Sequence, residues 1–67
     1  DNKTKNEIKK IERAIDSLEK EITDLKNKLN EEDIINDYQK YNEITDDIEN
    51  NEMKLMEMME KWEELQN

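Results

Sequence analysis

The apolar residues of this chain fall into two stripes separated by a short break. The first runs Ile8, Ile11, Ile15, Leu18, Ile22, Leu25 and Leu29, with steps of three and four alternating without an error. Steps averaging 3.5 residues hold a stripe on one side of an α-helix. This is therefore a heptad seam, with Ile8, Ile15, Ile22 and Leu29 at a and Ile11, Leu18 and Leu25 at d. The second stripe runs Tyr41, Ile44, Ile48, Asn51, Leu55, Met58, Trp62 and Leu65. Here Tyr41, Ile48, Leu55 and Trp62 take a, while Ile44, Asn51, Met58 and Leu65 take d. The pattern predicts two amphipathic helices, over about 4–30 and 37–66, joined by a tip over about 31–36. In the tip the rhythm fails: Ile34 and Ile35 are adjacent, which no single helical face accommodates. A short irregular or 3₁₀ turn is expected, with one Ile folded back over the last core layer. Asn36 or Asp37 is the expected N-cap, its side-chain oxygen accepting from a free amide of the next turn.

Two seams can meet by folding the chain back on itself or by pairing two chains. In an antiparallel pair a positions face d positions, so facing residue numbers share a constant sum, and sums of 73 and 66 both fit. A sum of 73 sets Ile8 against Leu65, Ile11 against Trp62, Ile22 against Asn51 and Leu29 against Ile44. It also brings Glu21 beside Lys54 and Lys28 beside Asp47. A sum of 66 strands Trp62 and Leu65 and sets like charges side by side. Flanking charges select register even where each pair contributes under about 1 kcal/mol. The register summing to 73 closes the hairpin without a gap, so an all-α, antiparallel two-helix hairpin, monomeric and forming one domain over 1–67, is expected. Its core would hold about fourteen side chains at roughly 1.5–3 kcal/mol each. That leaves stability marginal against the ordering of the chain. Asn51 weakens the seam further while fixing its register. Asp16–Lys20, Asp24–Lys28 and Glu57–Lys61, acid first at i,i+4, add about 0.3 kcal/mol each.

Composition narrows the chemistry. Gly, Pro, Cys, His and Phe are all absent among the 67 residues. Without Gly there is no phosphate-cradling loop. Without His or Cys there is no zinc site of the usual kind, no thiol nucleophile, no Ser-His-Asp relay and no disulfide. No apolar run is long enough for a membrane span or a signal-peptide core. The chain opens on Asp1 rather than Met, which reads as a segment of a longer protein. Twenty acidic against eleven basic residues leave a net charge of −9, with 46% of residues charged and 31% hydrophobic. That balance would suit a disordered chain, were the few apolar residues not so regularly placed. The charge is uneven: residues 1–30 carry a net +1 and residues 31–67 a net −10. Lys3, Lys5, Lys9, Lys10, Arg13 and Lys20 form a modest basic strip near the amino end. Such a strip is a candidate phosphate contact or simply a solvated face.

Other conspicuous residues have plainer readings. Tyr41 and Trp62 sit at heptad positions and belong to the core rather than to a base-stacking surface; Tyr38, at e, is half exposed. Met58 belongs to the seam and Met59 flanks it, but Met53 and Met56 point outward, as a contact with a neighbouring domain would require. Asp46-Asp47 and Glu63-Glu64 diverge by about 100° on a helix, so they do not converge as an acid/base pair. Glu31-Glu32-Asp33 lacks the Gly of a calcium loop, and no metal is assigned.

Three segments together carry a resemblance: Lys3 to Glu19, Asp33-Ile-Ile-Asn-Asp-Tyr38, and Met58 to Leu65. They resemble the C-terminal domain of ABC-F subfamily ATPases. That family's pattern opens on Lys-x-x-x-Glu-Leu, here Lys3 to Ile8. It continues through a Leu/Ile seam to a tip with an apolar or aromatic residue before Asp, here Ile34-Ile35-Asn36-Asp37, and closes on x-x-Trp-x-x-Leu, here Trp62-Glu63-Glu64-Leu65. The chain departs from it at Tyr38 and Glu12, where members often carry Pro, and at Ile35, where Tyr is common. The resemblance implies a coiled-coil appendage behind two ATP-hydrolysing cassettes in a cytoplasmic, non-transporter protein that acts on the ribosome in translation or, in one branch, in DNA handling. ATP and Mg would belong to the parent protein; no cofactor and no catalysis are expected in this segment, whose residues hold no ATPase motif. The expected role is a rigid arm docking the parent ATPase to ribosomal RNA, branched DNA or a neighbouring domain. The alternative is a purely structural or homodimeric coiled-coil scaffold with no nucleic-acid partner.

Overall fold

The computed structural model describes residues 2–66. Helix α1 spans Asn2–Lys28, a single turn α2 spans Glu32–Ile35, and α3 spans Tyr38–Gln66. At 1.5 Å per residue, one unbroken helix of this chain would be about 100 Å long. The molecule measures 52 × 14 × 12 Å, so the chain doubles back and α1 and α3 lie side by side, antiparallel.

The reversal is made without a left-handed residue: among the described residues none has positive φ. That is how a chain lacking Gly can turn. The end of α1 tightens into i→i−3 bonds, from the amides of Leu29, Asn30 and Glu31 to the carbonyls of Lys26, Asn27 and Lys28 at 3.2, 3.1 and 3.0 Å. Lys26 and Lys28 occupy its last turn, where cations complement the helix dipole. The tip then differs from an irregular or 3₁₀ stretch. The amides of Ile35 and Asn36 donate to the carbonyls of Glu31 and Glu32 at 2.9 and 3.0 Å, closing one true α-turn. Ile34 folds under and is buried while Ile35, one step round the turn, is 56% exposed. Asn36 closes α2, leaving Asp37 to cap α3: its Oδ1 accepts from the Lys40 amide at 3.2 Å and its carbonyl from the Tyr41 amide at 2.9 Å.

Of the fifteen seam positions, all but Tyr41 are buried or half-buried. The most enclosed are Ile22, Ile48, Asn51 and Ile34, in the half of the hairpin nearer the tip. None of the large side chains is fully enclosed, as expected when each helix has only one neighbour. The molecule exposes 5519 Å². A globular domain of this mass exposes about 4,500 Å², so the two-helix shape leaves roughly 1,000 Å² more in water. At the other end the Trp62 indole N–H donates to Glu12 Oε2, a long bond at 3.4 Å. That contact puts Trp62 level with Ile11 and Glu12. The register summing to 66 would set it against Thr4.

Two sequence expectations are corrected here. Tyr41, expected in the core, is 40% exposed, and Tyr38 is 82% exposed rather than half. The register explains Tyr41: the position facing it is Glu32, beyond the end of α1, so α1 does not cover that part of the stripe. The flanking charges also differ. Among the described residues none of the expected ion pairs closes. The flank instead carries Lys26 Nζ to Glu52 Oε2 at 3.7 Å, between two well-exposed side chains. Exposed ammonium and carboxylate groups lose little by staying hydrated, so sequence proximity alone does not hold them together.

Candidate functional site

The six cations picked out from the sequence are all exposed on α1, but they do not share one face. At 100° per residue, Lys9, Arg13 and Lys20 lie within about 40° of one another, directly away from the seam, with Lys5 a further 40° or so round. This outer strip points away from α3. Lys3 and Lys10 turn toward one flank, where Lys10 lines a shallow groove with Glu7, Ile11, Ala14, Met58 and Lys61. Lys61, contributed by α3, was not among the candidates. It follows from the register, which sets Lys61 across from Ala14, one turn from Lys10. The amino end of α1 thus gathers cations on two sides, one of them completed by the partner helix.

Carboxylates are interspersed at this end: α1 carries Glu7, Glu12, Asp16 and Glu19 among its cations, and the antiparallel α3 brings Glu57, Glu60, Glu63 and Glu64 alongside. Glu12 is engaged by Trp62, and the first turn of α1 holds no acidic residue. Asp16 joins Glu12, Ile15 and Trp62 around a second shallow groove. The outer face of α3 carries the opposite charge. Asp46, Glu49, Glu57, Glu60 and Glu64 follow one another at steps of three, eight, three and four residues on the side away from the seam. Met53 and Met56 are set among them, each 63% exposed. The hairpin therefore presents a cationic outer strip on one helix and an anionic one on the other, about 20 Å apart through two helix diameters.

Asp46, Asp47, Glu63 and Glu64 are exposed and spread around the helix. Among the described residues no group of three or more His, Cys, Asp or Glu side chains could hold a metal ion. No helix among the described residues is long and apolar enough to cross a membrane. The body is elongated, 52 × 14 × 12 Å, with shallow grooves along its flanks.

Compared with known proteins, the chain matches the family model described as the ABC transporter C-terminal domain over residues 1–67. No curated protein and no solved structure matches it.

Proposed function

Since this chain belongs to the family of ABC transporter C-terminal domains, we propose that it is a non-catalytic arm of a cytoplasmic ABC-F-type ATPase, docking its parent protein to a polyanion, ribosomal RNA or DNA. ATP and Mg are used by the parent's cassettes. The observation that carries the reading is the placement of Lys5, Lys9, Arg13 and Lys20 on the side of α1 facing away from the acidic helix, all exposed. A chain of net charge −9 can meet a phosphate backbone only through such a segregated face, because affinity for nucleic acid comes chiefly from neutralised phosphates.

The test is binding to branched DNA and to ribosomes at two salt concentrations. If about three phosphates are engaged, the logarithm of affinity should fall with that of salt with a slope near −2.7 on duplex DNA. The triple change Lys9→Glu, Lys10→Glu, Arg13→Glu should abolish binding without unfolding α1, since Glu is a good helix former and all three sites are exposed. Binding that survives the triple change contradicts the reading.

A second reading draws on Met53 and Met56: their exposed pair on α3 suits a contact with a neighbouring domain of the parent or with a second copy. Sedimentation near twice 8.2 kDa would mark the homodimeric scaffold; a mass of one chain leaves the hairpin as the unit that docks.

A further inference from the structure

A different surface lies at the far end of the arm. Leu29, Asn30, Ile35, Asn36, Tyr38 and Tyr41 line an open groove across the hairpin tip. Ile35, Tyr38 and Tyr41 are three of the six large apolar side chains left exposed on the described surface. Two of the three are there for a structural reason. Ile34 takes the one place under the seam, so Ile35 must face out, and α1 ends too early to cover Tyr41. Tyr with Asn is also a composition suited to binding: Tyr offers large contact area with little side-chain entropy to lose, and the amides adapt to either donors or acceptors.

Charge decides what fits the groove. The turn that carries it holds Glu31, Glu32, Asp33 and Asp37 against Lys28 and Lys40 at its two edges, a net charge of −2. A nucleic acid would be repelled by these carboxylates however well its bases stacked on Tyr38. A cationic protein segment would be attracted to them. We infer that the tip groove docks a basic protein segment, its apolar side chain seated between Ile35, Tyr38 and Tyr41 and its Lys or Arg residues on the carboxylates of that turn. The arm then has two working ends, one for a polyanion near its amino terminus and one for a cationic protein at its tip. The tip does not depend on the first assignment.

The test uses the ¹⁵N-labelled 67-residue chain and three probes: the peptide Lys-Leu-Lys-Lys-Leu-Lys, hexalysine, and single-stranded oligothymidine. The Leu-containing peptide should shift the amides of Ile35, Asn36, Tyr38 and Tyr41 in a saturable way. Hexalysine should bind at least about tenfold more weakly, and oligothymidine should leave the tip unmoved. Tyr38→Ala and Ile35→Ser, both at exposed positions, should each weaken the peptide about tenfold while the helical spectrum stays unchanged. The inference is overturned by equal binding of the two peptides, by shifts spread along the acidic face of α3 instead of the tip, by oligothymidine shifting the tip, or by indifference to both substitutions. Loss of nucleic-acid binding on changing Lys9, Lys10 and Arg13 would leave each of these outcomes where it stands.

Discussion

Asn51 is the polar member of an otherwise apolar stripe, and it is 8% exposed beside Ile22 at 7%. An amide at a seam position gives up the apolar contact that a Leu would make there. Asn51→Leu should raise stability by about 1 kcal/mol in urea unfolding while admitting competing registers or oligomers in sedimentation. A loss of stability would mean that the amide is better satisfied than its surroundings suggest. Ile22→Ala, at the same level, should cost about 2–3 kcal/mol, toward the low end for such truncations because a two-helix seam can partly collapse. An unchanged unfolding midpoint would show that this layer is not part of the core. Single residues also mark where spacing alone stopped being informative. Ile22 and Ile48 are buried, at 7% each, because both have a helix opposite. The heptad rule misplaced Tyr41, since a heptad letter does not say how far the partner helix extends. Trp62 bonding to Glu12 was foreseeable in kind, because a seam Trp needs a partner for its N–H, and Glu12 follows the residue that the register sets against it.

At the scale of elements, the tip separates what pattern can and cannot tell. Adjacent Ile34 and Ile35 announce a break, and one of them must turn inward. Which one does depends on the phase of the α2 turn, and that phase is set by the bonds to Glu31 and Glu32 rather than by any residue's preference. The groove at the tip was illegible for the same reason. The N-cap was narrowed to two residues and the structure chooses Asp37. Asp37→Ala should therefore lower thermal stability by about 1 kcal/mol, whereas Asn36→Ala, which removes no capping bond, should change it by only a few tenths. The reverse order would mean that α3 starts one residue earlier. The flanking charges were the weakest guide. They pointed to the right register, but the pair that forms, Lys26 with Glu52, is not one they named, because exposed pairs gain too little to dictate geometry.

Over the whole molecule the division of charge governs both stability and binding, with opposite dependence on salt. Asp46, Glu49 and Glu52, then Glu57, Glu60 and Glu63, repeat like charges at i,i+3 along α3, an arrangement that disfavours the helix. Raising salt from about 0.01 to 0.15 M shortens the screening length from about 30 to about 8 Å. Thermal stability should rise over that range, while affinity for nucleic acid should fall. Stability that falls with salt would show attractive pairs outweighing the repulsion. Net charge and its division between halves were readable from composition; the two-sided cationic end, with Lys61 arriving from the other helix, required the register as well.

Each of these expectations depends on the chain folding back on itself. Spin labels on Asn6→Cys and Gln66→Cys, both at exposed positions, measure that directly by dipolar spectroscopy. A hairpin predicts a separation of about 20 Å, two packed helices plus the label arms, that persists when labelled chains are diluted into unlabelled ones. A separation near 90 Å, the span of one continuous helix between those positions, or a short distance that vanishes on dilution, would contradict it.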